Sequence, residues 1–317
     1  MTTQLPPLSR LLLPVGTMET FERAAPLAGL LIRTMEIGAD RVDLVHVVAG
    51  SFLGKRFKSV DLTAGETLSM EELQRLRADY LAETAEPLLA TCARMIQQES
   101  AGRIPAQLLR DGDPAKVIGS LCSEHGYSTL VMSRRRIPAE TGWLTGSVTA
   151  SLLHRHAGAT IYLVDGTPRS PEESPFARTL IGVDDAPASE KAVAEAALLL
   201  SRVNEQIERV ILVHVLDQSC YYNEDGAPCS QTSLSGQRAL EQASTTLVEA
   251  GVDPEKITMV IHFGQPGTVL VEEALDCDAT MIFIGKRDRS RMAQLYLGSV
   301  CNDIVQNCRQ RVLALVG

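Results

Sequence analysis

Short apolar runs recur along the chain, and each is followed by a longer stretch in which apolar positions return every three or four residues. Leu11–Val15 is the first run, and Val42–Val48, Ile104–Leu109, Ser128–Met132 and Thr160–Val164 follow it. Between them, Phe21, Ala24, Leu27, Ala28, Leu31 and Ile32 mark one face of a helix over Thr20–Ile37. Leu73, Leu76, Tyr80, Leu88, Cys92 and Met95 mark a long helix from Met70 to about Glu99, with Ser69 as a lone cap and no capping-box partner at Gln74. Val117, Ile118, Leu121 and Cys122 mark a third helix that starts at Pro114 and stops at Gly126, and another is predicted over Ser147–His156. Runs without polar alternation are strands covered on both faces, and strict strand–helix alternation predicts a doubly wound parallel sheet.

The order then restarts. Asp165–Ala177, with three prolines and four charges, reads as a linker. Beyond it, strands are predicted at Thr179–Val183, Val210–Leu216, a run ending at Gly285, and Val312–Val316, with a helix over Ala188–Val203. The tetrapeptide Leu-Val-His-Val occurs at 44–47 and again at 212–215, an offset of 168. Gly112-Asp113-Pro114 returns as Gly264-Gln265-Pro266, and Gly146-Ser147 as Gly298-Ser299, both at an offset of 152. The fold class is therefore α/β, two tandem doubly wound domains of about five strands each: residues 1–165 and 178–317, joined by 166–177. The first half carries 16 extra residues, assigned to the long helix and to an exposed, locally basic excursion between Gly50 and Gly65.

Composition narrows the function. A net charge of -9 disfavours a nucleic-acid partner, which needs a concentrated basic face. Seven cysteines lie without a CxxC pair, as scattered reduced thiols do in a cytosolic protein. The chain shows no charged-then-apolar leader pattern and no apolar run near the roughly 20 residues of a bilayer span, so a cytoplasmic protein with no membrane partner is expected.

In sheets of this kind, sites form beyond the carboxyl ends of the strands, where strand order reverses. Asp184, Gly264 and Gly285 each follow a predicted strand, and Gly298-Ser299 opens the last helix. This ordered set resembles the universal stress protein family in its tandem form, and the resemblance covers nearly the whole chain. Nucleotide-binding members carry an aspartate after the first strand, a Gly-x-Pro turn after the third, and Gly-x2-Gly-x9-Gly-Ser/Thr after the fourth. The second half matches with Asp184, Gly264-Gln265-Pro266 and Gly285-x2-Asp288-x9-Gly298-Ser299, where Asp288 replaces the second glycine. The resemblance implies a cofactor-binding set of Asp184, Gly264, Gly285, Gly298 and Ser299 that holds ATP or a related adenine nucleotide, with Mg2+ as its companion ion. Lys286, Arg287, Arg289 and Arg291 surround Asp288, which either holds a cation or repels phosphate.

The first half departs further: Gly16 stands for the aspartate, and Ser133 and Arg136 for the first two glycines. The expectation is a scaffold or regulator there, with Arg134–Arg136 as a surface loop and Trp143 filling the space of a nucleotide. The leading function is a non-catalytic stress-response protein, alternatively a nucleotide-free protein-interaction module, alternatively a weak ATPase. The resemblance also implies association through Thr160–Val164 and Val312–Val316, a homodimer, and an unnamed protein partner. His46 and His214, at equivalent places in apolar strands, read as hydrogen-bonded structural histidines before paired ligands. Cys301 and Cys308 read as buried thiols, Tyr221-Tyr222 as an exposed loop, and neither a catalytic set nor a metal-ligand set is expected.

Overall fold

A computed structural model of the chain describes residues 6–50, 69–134, 147–154, 158–165, 173–217, 230–286 and 298–317. The ten strands are β1 (Leu11–Pro14), β2 (Val42–Val48), β3 (Ala106–Asp111), β4 (Thr129–Ser133), β5 (Thr160–Val164), β6 (Arg178–Gly182), β7 (Arg209–Leu216), β8 (Ile257–Phe263), β9 (Met281–Gly285) and β10 (Val312–Val316). They form one continuous sheet in the order β3-β2-β1-β4-β5-β10-β9-β6-β7-β8. All neighbours are parallel except β5 and β10, which pair antiparallel with Val312 opposite Val164.

The first half contributes helices α1 (Met18–Thr34), α2 (Met70–Tyr80), α3 (Glu86–Glu99), α4 (Pro114–His125) and α5 (Ser147–His154). The second contributes α6 (Pro187–Leu200), α7 (Ser230–Glu249), α8 (Pro266–Asp276) and α9 (Ser299–Asn307). Burial divides the helices between two layers. One core gathers Leu11, Leu13, Tyr162, Phe283 and Ala314 under α1, α3, α6 and α7. The other gathers Leu12, Leu130, Ile161, Ile282 and Leu313 under α4, α5, α8 and α9. Strand residues of alternate parity thus feed opposite faces, which is why the runs are apolar throughout.

The antiparallel β5–β10 seam has a geometric consequence. The carboxyl ends of the strands in one half point opposite to those in the other, so the two switch points, β1/β4 and β6/β9, open at opposite edges of the shared sheet. The final strands meet within one chain, and the sheet's remaining edges are β3 and β8.

Several elements differ from the sequence expectation. The long helix is α2 and α3 joined through a π turn at Leu81–Ala85. Ser69 does belong to a capping box: its hydroxyl accepts the Glu72 N–H while the Glu72 carboxylate accepts the Ser69 N–H at 2.8 Å. Strand β3 lies two residues later than predicted, because Pro105 delays entry into the ladder with β2. Arg134 is not on the surface: it is 1% exposed, its amide donates to the Val164 carbonyl, and its guanidinium faces Asp165 at 3.7 Å. Desolvation pushes its pKa down, against the opposing effect of Asp165. Arg135, Arg136, Trp143, Gly146, Tyr221, Tyr222, Arg287, Asp288, Arg289, Arg291 and the whole 51–68 stretch lie outside the described residues.

Candidate functional site

In the second half, β6 and β9 are adjacent, with Thr179 opposite Met281 and Ile181 opposite Phe283. Carried on, this register sets Val183 opposite Gly285, so Asp184 lies one residue past the level of Gly285 at the end of β9. Asp184 builds the turn into α6: its carboxylate accepts the Ala186 N–H at 2.9 Å, and its own N–H donates to the Ser189 hydroxyl at 2.9 Å. A Cβ at Gly285 would sit 2.4 Å from the Ala188 carbonyl and 2.6 Å from the Ser189 nitrogen. Glycine here lets the first turn of α6 lie directly on the end of β9. The Cys301 thiol, one turn into α9, approaches the Gly285 carbonyl at 3.9 Å. Asp184, Gly285 and the Gly298-Ser299 helix start therefore share one corner.

Gly264 follows β8, two strands along from β6, and leads into α8, whose first turn packs on α9: a Cβ at Gly267 would sit 2.0 Å from the Asp303 carboxylate. The Gly264 φ of +144° and a would-be Cβ contact of 2.9 Å with Val269 require glycine for the turn itself. Gly112 repeats the geometry with φ of +131°. A groove of about 230 Å³ runs between α6 and α7 beside the corner, with Asp184, Asp185 and Glu190 facing Arg238 across it.

Helix capping differs between the halves at two equivalent pairs, α1 against α6 and α4 against α8. In the first, Thr17 caps α1 by accepting the Thr20 N–H, and Asp113 caps α4 by accepting the Lys116 N–H at 2.8 Å. In the second, α6 begins at Ala186, α8 at Gln265 and α9 at Gly298, each without a side-chain cap. A helix start without a side-chain acceptor leaves amide donors and a partial positive charge for an outside anion.

The first half holds a larger cavity, about 560 Å³, at its own switch point. It opens between the β1 end at Gly16, the β4 end at Ser133 and the first turns of α4 and α5. The sequence reading, which made this half a scaffold, missed it. The Ser133 hydroxyl donates to the Thr20 carbonyl, the counterpart of the Ala188 carbonyl that Gly285 approaches. The His46 Nδ1–H donates to the Val15 carbonyl at 2.8 Å, leaving Nε2 to accept from the Tyr80 hydroxyl at 3.2 Å. His214 makes the same Nδ1 bond to Val183. Both are structural histidines tying the end of one strand to its neighbour.

A second group also escaped sequence reasoning. Glu195 of α6 is 1% exposed and crosses the seam to accept from Thr160 at 2.6 Å and Tyr162 at 2.8 Å on β5. Burial pushes its carboxyl up to about 7, the two hydrogen bonds opposing. A signal was present, since Glu195 falls among Ala192, Val193, Ala196 and Ala197 on a wholly apolar face. The thiols of Cys92 and Cys122 are pushed up to about 12 by burial, and that of Cys308 to about 11, all toward the unreactive thiol. Among the described residues no group of three or more His, Cys, Asp or Glu side chains is arranged to hold a metal, and no helix is long and apolar enough to cross a membrane.

The fold is that of a tandem, doubly wound α/β protein with one switch point in each half. The universal stress protein family profile matches residues 21–157 and again 175–315, and the chain belongs to that family. A universal stress protein of Mycobacterium tuberculosis (strain ATCC 25618 / H37Rv) is 28% identical over 175 residues, which are 54% of this chain and 56% of the relative. The chain thus spans about half the length of the curated relatives it matches. A universal stress protein of Archaeoglobus fulgidus DSM 4304 superposes with a TM-score of 0.67 at 18% identity, over 98% of this chain and 96% of its own. A functionally unknown protein of Pseudomonas aeruginosa PAO1 gives 0.56 at 14% identity, over 97% and 92%. These two structural likenesses speak to fold alone.

Proposed function

We propose that the protein is a non-catalytic stress-response regulator whose second half binds ATP or a related adenine nucleotide at the β6/β9 corner. The observation that carries this reading is the uncapped start of α9 beside Asp184 and Gly285, at the ends of β6 and β9. The amides of Ser299 and its neighbours in the first turn of α9 suit phosphate oxygens. On this reading Asp184, at the end of β6, contacts the adenine end of the nucleotide. Bound nucleotide would supply the charge at the start of α9 and couple α6 to α9. Mg2+ would be held chiefly by the phosphates. No described group is placed as a general base, so hydrolysis is not part of the reading.

A second reading, a nucleotide-free interaction module, is favoured by a separate observation. Asp184 and Gly285 each already have a packing task, and edge strand β8 presents Met259 and Phe263 at 49% and 60% exposure. Calorimetric titration of ligand-stripped protein with ATP and magnesium, repeated on Asp184→Ala, separates the two. One site per chain, lost in the variant, supports the nucleotide reading. No heat and no change in melting temperature with millimolar ATP refutes it and turns attention to partners at β8.

A further inference from the structure

The seam between the halves is built about an approximate twofold axis. The offset of 152 residues equates Thr160–Val164 of β5 with Val312–Val316 of β10, and the offset of 168 equates α1 with α6. Tyr162 and Ala314 are equivalent under the first offset, and they also stand directly opposite each other in the antiparallel ladder. The axis therefore passes between them. Pairing like with like, β5 with β5 or β10 with β10, would use the same register, so the backbone does not choose between partners. The side chains on the face covered by α1 and α6 do.

Thr160, Tyr162 and Glu195 have Val312, Ala314 and Leu27 as their counterparts. On one side of the axis, Glu195 reaches across the seam to accept from the Thr160 and Tyr162 hydroxyls, all three side chains being buried. On the other, the apolar Leu27 of α1 and Val312 of β10 line one groove. Size is divided as well: Tyr162, which meets the Phe283 ring edge-on at 6.3 Å, stands opposite Ala314, large against small. Pairing two first halves would set Tyr162 against its own copy and turn the Thr160 and Tyr162 hydroxyls towards Leu27, which accepts no hydrogen bond. Pairing two second halves would set Ala314 against Ala314 and bury Glu195 over Val312 and Ala314, which donate none. Each buried polar group so stranded costs about 1–3 kcal/mol. Two phenols in one place add overpacking, and two methyls in the other add a cavity. The unlike pairing satisfies all three groups.

We infer that Thr160, Tyr162 and Glu195 select the partner at this seam: they direct β5 to the β10 of a second half and away from a second copy of itself. The interface is closed to like halves, and β5 and β10 satisfy each other within one chain. A homodimer through these strands, which the family resemblance implies, is disfavoured on this reading. Buried polar sets add little stability in themselves, since apolar replacements of like volume are often as stable. What this set supplies is discrimination, a favourable contact with one partner and a stranded polar group with the other. The inference does not rest on the nucleotide reading.

The test is refolding of the full chain from urea at about 1 µM to about 1 mM protein, the upper end matching the effective concentration that a short linker gives two tethered domains. Mass is read by light scattering after size exclusion, and folding by circular dichroism. Wild type is compared with Thr160→Val/Tyr162→Ala/Glu195→Leu, which gives both sides of the seam the same apolar set. A second variant, Thr160→Val/Tyr162→Phe/Glu195→Leu, removes the polar groups at nearly constant volume. Glu195→Gln, which keeps a partner for both hydroxyls, is the control. Both triple variants should form folded dimers or larger assemblies at concentrations about tenfold or more below those at which wild type does, and Glu195→Gln should behave as wild type. Folded triple variants that associate no more readily than wild type overturn the inference, as does a glutamine variant that associates as they do. If the alanine variant does not fold, the phenylalanine variant carries the test. Its own failure to fold would show that the polar set holds the seam together instead of choosing its partner, and would overturn the inference too.

Discussion

Replacing Glu195 with glutamine tests the seam between the halves. In the folded chain this carboxyl is buried against Thr160 and Tyr162 and its pKa rises from 4.5 to about 7. The fold therefore holds the proton more tightly than the unfolded chain does. Below pH 4.5 both states are protonated. As pH rises from 4.5 towards 7 the unfolded chain releases its proton first, so stability falls across that window and is level above it. A shift of this size corresponds to about 3 kcal/mol between the two ends. Glutamine keeps the shape and an acceptor for one hydroxyl, and its amide can donate to the Thr160 oxygen, so it removes the charge without emptying the site. Part of the gain is lost to imperfect hydrogen bonding, leaving about 1–2 kcal/mol of added stability at pH 8. The assay is urea unfolding of wild type and Glu195→Gln at pH 5, 6, 7 and 8, comparing midpoints at matched slope. The difference between the proteins cancels every other titrating group. It should grow in favour of the variant from pH 5 to 7 and then stay constant. A difference that is flat with pH, or that favours wild type at pH 8, would refute the burial argument.

Two other substitutions separate packing from binding. Gly285→Ala should destabilise by about 1–3 kcal/mol, read as a lowered melting temperature without ligand, because its Cβ would strike the Ala188–Ser189 backbone. Gly298→Ala, whose Cβ would meet nothing within 4 Å, should shift stability by no more than about 0.5 kcal/mol. Tyr127→Phe should cost about 1–3 kcal/mol in urea unfolding, since the Tyr127 hydroxyl donates at 2.6 Å to the buried Asp43 carboxylate. A Tyr127→Phe protein as stable as wild type would mean that Arg10, 3.4 Å from Asp43, satisfies that carboxylate alone.

Much of the architecture was legible from local pattern. The limits of β2, β5 and β10 follow from apolar runs bounded by polar residues, and the Leu-Val-His-Val repeat marked equivalent strands in the two halves. The candidate corner was legible in part. Asp184, Gly285 and Gly298 lie at one corner, and Gly264 has a positive φ in the turn that ends β8. The spacing of a motif counts residues, and it carries no information on whether a glycine faces a ligand or a neighbouring helix. Burial of Arg134 was illegible for a related reason: three consecutive arginines look like surface, and only the return of β10 beside β5 encloses the first of them.

The sequence by itself determined that there are two α/β units and where nine of their ten strands lie, β8 at Ile257–Phe263 being the exception, because apolar periodicity and turn chemistry act over a few residues. The tertiary structure alone decided that the units share one sheet with their clefts at opposite edges, and that Glu195 crosses the seam. It also decided that the half with the poorer motif keeps a cavity of about 560 Å³ at its switch point. These depend on contacts between residues far apart in the chain, Thr160 with Glu195 or Gly16 with Ser133 and Thr149, and no local pattern encodes the space left between them.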